Sequence, residues 1–453
     1  MSTSTPPRSP LERFLGIFTE VKGGEGGVVL LLTLNIFLIL TAYYIIKPVR
    51  EALILAAPDG AEWKSYAAAG QALLLAFAVP AYGWLAGKVP RRRLINLVTV
   101  FFVANMVVFF LLIKAIGAGT LALGFGFFLW VGVFNLMVPA QFWSFANDVY
   151  TNEQGKRLFV IVAFGASLGA VLGSVITDRL IEPLGLDQLL LVSSALLVLS
   201  LVLTNLVESR QDAAAAVRSD DAPRVDIETL EGENGFAMLL RSRYLLLIAL
   251  LMLLLNWVNT TGEFILGDTV KSAIEMQAVE QGIDPAQRDE WVGENIGAFY
   301  ARFFSVVNVL GLVMQLFLVS RIIKYIGVAR ALLILPVIAL GGYAVLAFFP
   351  ILSVVRWAKT AENATDYSLH NTVRQALFLP TTRAQKYKAK QAIDSFFVRA
   401  GDLFSAALVY VGLNVLSLST TGFALVNLGL VVIWLLIAIQ IGREYSRLTA
   451  SSG

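Results

Sequence analysis

Residues 353–379 read SVVRWAKTAENATDYSLHNTVRQALFL. At steps of three or four, Arg356, Lys359, Asn363, Asp366, His370 and Arg374 fall on one stripe of a helix, with Glu362 beside it. No hydropathy window flags this stretch as a membrane span, so its neighbours have to decide what it is. Before it, 330–349 is apolar and about as long as an α-helix needs to cross ~30 Å of hydrocarbon. After it come Arg383, Lys386, Lys388 and Lys390, a basic segment of the kind held on the cytoplasmic side. Parity then requires a crossing between Phe349 and Arg383, and 351–377 is the segment available. A lone charge at the bilayer centre costs at least ~2.5–3.5 kcal/mol, so the polar stripe must face a protein interior or an aqueous path. The competing reading, a long loop on the far side, would need no such stripe.

The rest of the chain supplies the apolar frame. Of 453 residues, 57% are hydrophobic and 15% charged, against roughly 25% charged in soluble domains. Spans are expected near 27–47, 65–87, 94–114, 120–146, 158–178, 187–207, 242–264, 297–320, 330–349, 351–377, 390–413 and 420–441. With both termini cytoplasmic, 24 of the 35 Lys and Arg fall on the inner side and eight on the outer. The expected class is an all-α membrane protein of twelve transmembrane helices in two six-helix halves, at the plasma membrane or a bacterial inner membrane. Its parts are a cytoplasmic tail 1–26, a first half 27–207, a cytoplasmic linker 208–241, a second half 242–441 and a tail 442–453. The linker has an Ala run, Asp220, Asp221 and Pro223 and no apolar periodicity. Residues 1–26 lack a compact apolar core and a small-residue cleavage site, so they are not expected to be a signal peptide.

Composition also excludes. Without cysteine and with one histidine, the chain offers no thiolate or imidazole metal cluster and no cysteine nucleophile. No phosphate-cradling glycine loop ends in Lys-Ser or Lys-Thr and no nucleophile elbow occurs, so neither an enzyme nor a primary ATP-driven pump is expected, and no cofactor. A net charge of +3 suits loops facing anionic lipid and implies no nucleic-acid polymer as partner.

Two loops repeat across the chain. Gly83-Trp-Leu-Ala-Gly-Lys88-Val-Pro90-Arg91-Arg92-Arg93 follows the second span, and Ser320-Arg321-Ile-Ile-Lys324-Tyr-Ile-Gly327-Val-Ala-Arg330 follows the eighth. Each resembles the cytoplasmic signature of the major facilitator superfamily, although the first has Gly87 where that signature has an acid. The resemblance implies a substrate near the midplane between two halves that rock against each other. Lys88, Arg91 and Arg330 are then candidates for gating. In span five, Gly165, Gly169 and Gly173 recur every fourth residue and bare one helix face. That face serves either plain helix packing or a gating contact.

Span one ends Tyr43-Tyr44-Ile-Ile-Lys47-Pro48-Val-Arg50-Glu51. Lys47 and Arg50 read either as cations snorkelling to the membrane edge or as two prongs for a phosphate or carboxylate, with Glu51 a turn from Lys47. Pro48 frees the carbonyl near Tyr44 and can bend the helix. In span ten, Lys359 or Arg356 would meet an anion, Asn363 and Asp366 line the same path, and Asp366 or Glu362 would neutralise the cations in an empty site. Glu263 in span seven, near Asn259, is a candidate coupling carboxylate together with Glu362 and Asp366. His370 is either a satisfied core histidine or a pH switch.

A second resemblance covers both halves. Phe142-Trp143-Ser-Phe-Ala146-Asn147-Asp148, then Lys156-Arg157-Leu-Phe and the three glycines, resembles the span-four to span-five region of the ATP/ADP translocases of plastids and intracellular bacteria. Tyr44, Lys47, Arg50 and Glu51 resemble that family's first helix. Asp366-Tyr367-Ser368, Leu379-Pro380, Lys386, Lys388, Lys390 and Ala392-Ile393-Asp394 resemble its span-ten to span-eleven region. The resemblance implies exchange of a nucleoside polyphosphate, with Lys47, Arg50 and a basic residue near Lys390 on the phosphates. The chain departs from the family at Lys47-Pro48 and in span seven, where Asn259 stands for an acid and Glu263 follows one turn later.

The expected function is secondary transport by alternating access, exchanging a small anionic phosphorylated metabolite such as ATP and ADP. Two alternatives stay open: a proton-coupled major facilitator carrier of another organic solute, and a non-transporting membrane sensor or assembly factor that docks partners on the linker.

Overall fold

The computed structural model describes residues 8–16, 19–86, 88–217, 235–382, 385 and 389–450. Gly87, linker residues 218–234, and Arg383, Lys386 and Lys388 lie outside the described residues, as do the ends of both tails.

Every described element is a helix: α1 (Pro10–Leu15), α2 (Gly26–Leu55), α3 (Gly60–Ala86), α4 (Arg91–Ile116), α5 (Leu121–Val149), α6 (Asn152–Val217), α7 (Gly235–Arg241), α8 (Arg243–Glu280), α9 (Arg288–Val313), α10 (Val319–Ala331), α11 (Ile334–Phe348), α12 (Leu352–Thr365), α13 (Asn371–Ala376), α14 (Lys390–Ala392), α15 (Val398–Asn414) and α16 (Thr420–Ala450). Nine helical stretches among the described residues are long and apolar enough to cross a membrane, which makes this a multi-pass membrane protein. α6 runs through the positions of spans five and six and breaks at Gly185, whose φ of 77° and ψ of 172° suit glycine and strain any side chain. α8, at 38 residues, is about 57 Å long and overshoots a bilayer core, so the polar segment after residue 267 begins as more of the same helix.

Among the described residues, π-helical segments interrupt the second half at Met314–Leu318, Asp366–His370 and Ile393–Phe397. Each joins two α-helical stretches, and the second one alters the stripe of 353–379. The i→i+5 turn shifts the phase of everything after Thr365. Lys359, Glu362 and Asn363 are buried together, whereas Arg356 and Arg374 are only half-buried. The single stripe expected along the whole helix is thus two stripes offset by a π-turn.

Contacts divide the chain into two compact units. The first is Met1–Leu53, Leu74–Arg224 and Gly297–Ser305; the second is Ile54–Leu73, Val225–Ile296 and Val306–Gly453. In the first unit α4 packs on α6, and the glycine stripe of α6 meets α2. A Cβ on Gly165, Gly169 or Gly173 would stand 2.6, 2.5 and 2.6 Å from the carbonyl oxygens of Thr33, Phe37 and Thr41. Only a bare backbone allows that approach, and the stripe therefore packs within one unit. Buried Asn35 adds polar glue, donating to Thr204 Oγ1 at 2.6 Å and accepting from Ser200 at 2.6 Å. Segment 297–305 is tied in by Arg302, whose Nε donates to Asp178 at 2.8 Å.

In the second unit α15 and α16 pack on α8, and α11 packs on α12 and α16. Asp402 of α15 accepts from Asn256 (2.7 Å) and Thr260 (2.8 Å) of α8 and from Arg399 (3.3 Å), which satisfies a buried carboxylate. Segment 54–73 is held by Glu62, which accepts from Asn414 of α15 at 2.9 Å, and by Lys271, which donates to the Ala57 carbonyl.

Candidate functional site

Each unit buries a cationic cluster. In the first, Pro48 removes the donor for the Tyr44 carbonyl, and the Thr177 hydroxyl of α6 supplies one at 3.4 Å. The helix continues past this point and carries Lys47, Arg50 and Glu51 inward. Lys47 is 8% exposed, and its Nζ lies 3.9 Å from the centroid of the Phe304 ring and 5.3 Å from that of Tyr44. The Arg50 guanidinium sits 4.4 Å from the Phe128 ring centroid and pairs with Glu51, which is almost wholly buried. Snorkelling to the membrane edge is not what the burial shows. Lys47 Nζ lies against ring faces, which attract a cation through the aromatic quadrupole.

In the second unit the cations are held by carboxylates. Lys359 of α12 is 2% exposed. Its Nζ lies 3.2 Å from Glu362 and 3.7 Å from Glu263 of α8, and donates to Asn259 Oδ1 at 2.8 Å. Asn363 donates to Glu263 at 3.1 Å, and Lys64 of α3 approaches the same carboxylate at 3.5 Å. The Tyr343 hydroxyl of α11 lies 3.3 Å from Glu362 and from the Val258 carbonyl, and Asn427 of α16 donates to that carbonyl at 3.1 Å. Gly262 permits the convergence: a Cβ there would stand 2.1 Å from the Tyr343 hydroxyl and 3.1 Å from Lys359 Nζ. Beside the network lies a water-sized cavity lined by Gly262, Tyr343, Lys359 and Glu362.

Of the residues singled out in the sequence, Asn259, Glu263, Lys359, Glu362 and Asn363 come together here, and Tyr44, Lys47, Arg50 and Glu51 form the other cluster. The rest stand apart. Asp366 opens the π-turn half-buried, and His370 closes it buried, both ring nitrogens without a hydrogen-bond partner and its ring edge-on to Trp434 at 6.4 Å. Arg356 is half-buried near the Trp357 ring. Lys390 donates to Gln375 at 2.7 Å, and Asn147 is exposed at the end of α5. Arg91 bridges Asp148 (3.3 Å) and Glu208 (3.4 Å) within its unit, Lys88 lies 4.0 Å from the Trp84 ring centroid, and Arg330 is exposed. Sequence reasoning missed Lys64, Tyr343, Gly262 and Asn427. The available signal was Lys64 itself, a lysine inside an apolar helix near Glu62.

No family model matches the chain. Among curated proteins it is 24% identical over 364 residues to ADP,ATP carrier protein 1 of Chlamydia muridarum (strain MoPn / Nigg), covering 70% of this chain and 64% of the relative. The chain resembles the ADP,ATP carriers. A match of 24% over 360 residues extends to ADP,ATP carrier protein 1 of Chlamydia pneumoniae, and one of 22% over 374 residues to carrier protein 2 of that organism. The chain thus spans 64% to 65% of the length of these carriers. Among solved structures, a variant of the nucleoside transporter NupG superposes with a TM-score of 0.63 at 12% identity, covering 91% of this chain and 99% of that one. A POT family transporter bound to a thioalcohol-conjugated peptide gives 0.62 at 13% identity, over 97% and 99%. The fold is the one these transporter structures have.

Proposed function

We propose that the chain is a secondary transporter of twelve crossings with cytoplasmic termini, which exchanges an anionic phosphorylated metabolite such as ATP for ADP by alternating access. The observation that carries this reading is the burial of Lys47, Lys64 and Lys359 in a helical protein whose core is mostly apolar. Ionised groups in a membrane interior are expensive and mark substrate paths. Likeness to ADP,ATP carriers supports a nucleotide as the anion. In this reading Lys47 and Arg50, with Tyr44 and Glu51, are the anion contacts of the first unit, and Lys359, with Asn259, Glu263, Glu362 and Asn363, is the contact of the second. The parts proposed are the tails, the halves 27–207 and 242–441 and the linker 208–241.

Saturable uptake of labelled ATP into vesicles, accelerated by internal ADP, is the expected result. Lys47→Ala combined with Arg50→Ala should abolish it; uptake that survives both changes counts against the site. The absence of cysteine makes topology mapping clean, and single cysteines at Ser209 and Thr449 should both label only from the cytoplasmic side.

A second reading, a proton-coupled carrier, is favoured by the carboxylate pair at Lys359. It expects transport to stop when the pH gradient is collapsed and to ignore internal substrate.

A further inference from the structure

Several surface cations of this chain have an acid beside them. Lys22 pairs with Glu153 at 3.0 Å, Lys114 with Asp187 at 3.5 Å and Arg302 with Asp178 at 2.8 Å. At the start of α4, Arg91 reaches Asp148 and Glu208, and Arg92 lies 3.8 Å from Glu208. The corresponding turn of the second unit, 321–330, is different. Arg321, Lys324 and Arg330 are all exposed, and none of them forms an ion pair among the described residues. The same is true of exposed Arg443 in α16.

The fold gathers these four cations. Arg321 and Lys324 stand one turn apart on α10. Gly327, at φ 78° and ψ 163°, then breaks the helix and turns the chain toward α11. α16 packs against this turn so closely that a Cβ on Gly442 would stand 3.2 Å from the Ala329 carbonyl oxygen. Arg330 follows one of these residues and Arg443 the other, so both lie at the same contact. The neighbouring acid, Glu444, is taken by Arg447 at 3.2 Å. Like charges brought together repel unless an anion from outside joins them.

The apolar surroundings indicate which anion. Leu316, Phe317 and Leu318 are exposed about one helical turn before Arg321, and the Arg321 guanidinium donates to the Phe317 carbonyl. Tyr325 is 75% exposed, with Lys324 Nζ 5.6 Å from its ring centroid. The turn joins the apolar stretch Arg288–Ala331 to the apolar helix α11, which puts it at the depth of lipid headgroups, where tyrosine is favoured. A free phosphate has no use for exposed apolar side chains beside its cations. A phospholipid has a phosphate and acyl chains to satisfy both.

We propose that this turn binds an anionic phospholipid. Arg330 and Arg443 meet the headgroup phosphate, Arg321 and Lys324 add charge around it, and Leu316, Phe317 and Leu318 lie against the acyl chains. The lipid supplies here the negative charge that Asp148 and Glu208 supply to Arg91. The proposal stands apart from the choice of transported solute.

The test is the thermal midpoint of the purified full chain in detergent, titrated with phosphatidylglycerol or with neutral phosphatidylcholine. Phosphatidylglycerol should raise the wild-type midpoint and phosphatidylcholine should not. Arg330→Gln combined with Arg443→Gln should raise the phosphatidylglycerol concentration needed for half of that effect by roughly ten-fold to thirty-fold. Arg330→Lys with Arg443→Lys keeps the charge and should stay within about three-fold of the wild type. Lys114→Gln, whose lysine already has Asp187, should respond as the wild type does. Native mass spectrometry of the wild type, which needs no variant to fold, should find phosphatidylglycerol retained in preference to phosphatidylcholine. Equal responses to the two lipids overturn the proposal, and an undiminished response in the double Gln variant overturns its placement at this turn. A rise of the same size with inorganic phosphate alone, lost in the same variant, means a site for free phosphate and overturns the lipid.

Discussion

Two of the three lysines buried among the described residues, Lys47 and Lys359, meet different groups. Lys47 lies over the Phe304 and Tyr44 rings, whereas Lys359 is clasped by Glu263, Glu362 and Asn259. A cation over a ring can turn to an incoming anion and give up only about 0.5–2 kcal/mol. A cation in a buried ion pair cannot move without stranding its carboxylate, at about 3–5 kcal/mol. The ring contact of Lys47 is thus a weaker hold than the ion pair between Lys359 and Glu362.

The largest effect that would break this contrast belongs to Lys359. Replacement by Ala leaves Glu362 in a buried place without its cation, and a loss of about 3–5 kcal/mol of stability is expected, read as a large drop in thermal midpoint in detergent. Replacing Lys359 by Met and Glu362 by Leu together should restore most of that midpoint without restoring ATP uptake. Should Lys359→Ala melt like the wild type, the clasp is not what the geometry says it is.

Lys47→Ala is the counterpart. It removes a cation from the Phe304 and Tyr44 ring faces, a contact whose loss should move the thermal midpoint by the equivalent of about 0.5–2 kcal/mol. Uptake of labelled ATP should nevertheless fall by roughly ten-fold to a hundred-fold. A midpoint shift as large as that of Lys359→Ala would erase the distinction between the two clusters.

Glycine substitutions sharpen the comparison at a smaller scale. At Gly169 a Cβ meets the Phe37 carbonyl of another helix at 2.5 Å, and only a shift of the whole helix can make room. Gly169→Ala should cost about 1–3 kcal/mol by overpacking. At Gly262 the obstacle is the tip of Tyr343, which can swing aside. Gly262→Ala should therefore be milder in midpoint and harsher in transport, because displacing the Tyr343 hydroxyl breaks its approach to Glu362. A ratio of the two effects in the opposite order would place the functional weight on helix packing instead.

Much of this was legible before any coordinates. The residues of 353–379 announced a helix that needed a protein interior, and of the two carboxylates expected to neutralise its cations Glu362 lies at Lys359, whereas the contacts of Lys359 with Glu263 and Asn259 were not foreseen. What could not be read was which third helix would complete the network. Lys64 counted in the sequence as one of eight far-side cations, and nothing in its spacing points to α8. The π-turn at Asp366–His370 was equally hidden, because polar residues at steps of three and four look the same whether or not the helix widens among them. The glycine stripe was legible as a close approach, but its partner, α2, was not.

The smallest effect lies outside both clusters, at Glu12 near the N-terminus. Its carboxylate accepts from the backbone N–H of Ser9 (2.7 Å), Gly24 (2.7 Å) and Gly26 (3.1 Å), and so ties α1 to the start of α2. Those N–H groups, Ser9 first and Gly26 next, hold its pKa at about 2 against an ordinary 4.5. Because the folded value is depressed, the contribution is fully present above about pH 4.5 and is lost as pH falls through about 2. The thermal midpoint of the wild type should exceed that of Glu12→Gln at neutral pH, and the gap should close across that acid window. A gap that stays constant down to the acid end would mean that the carboxylate's charge does not hold the tail.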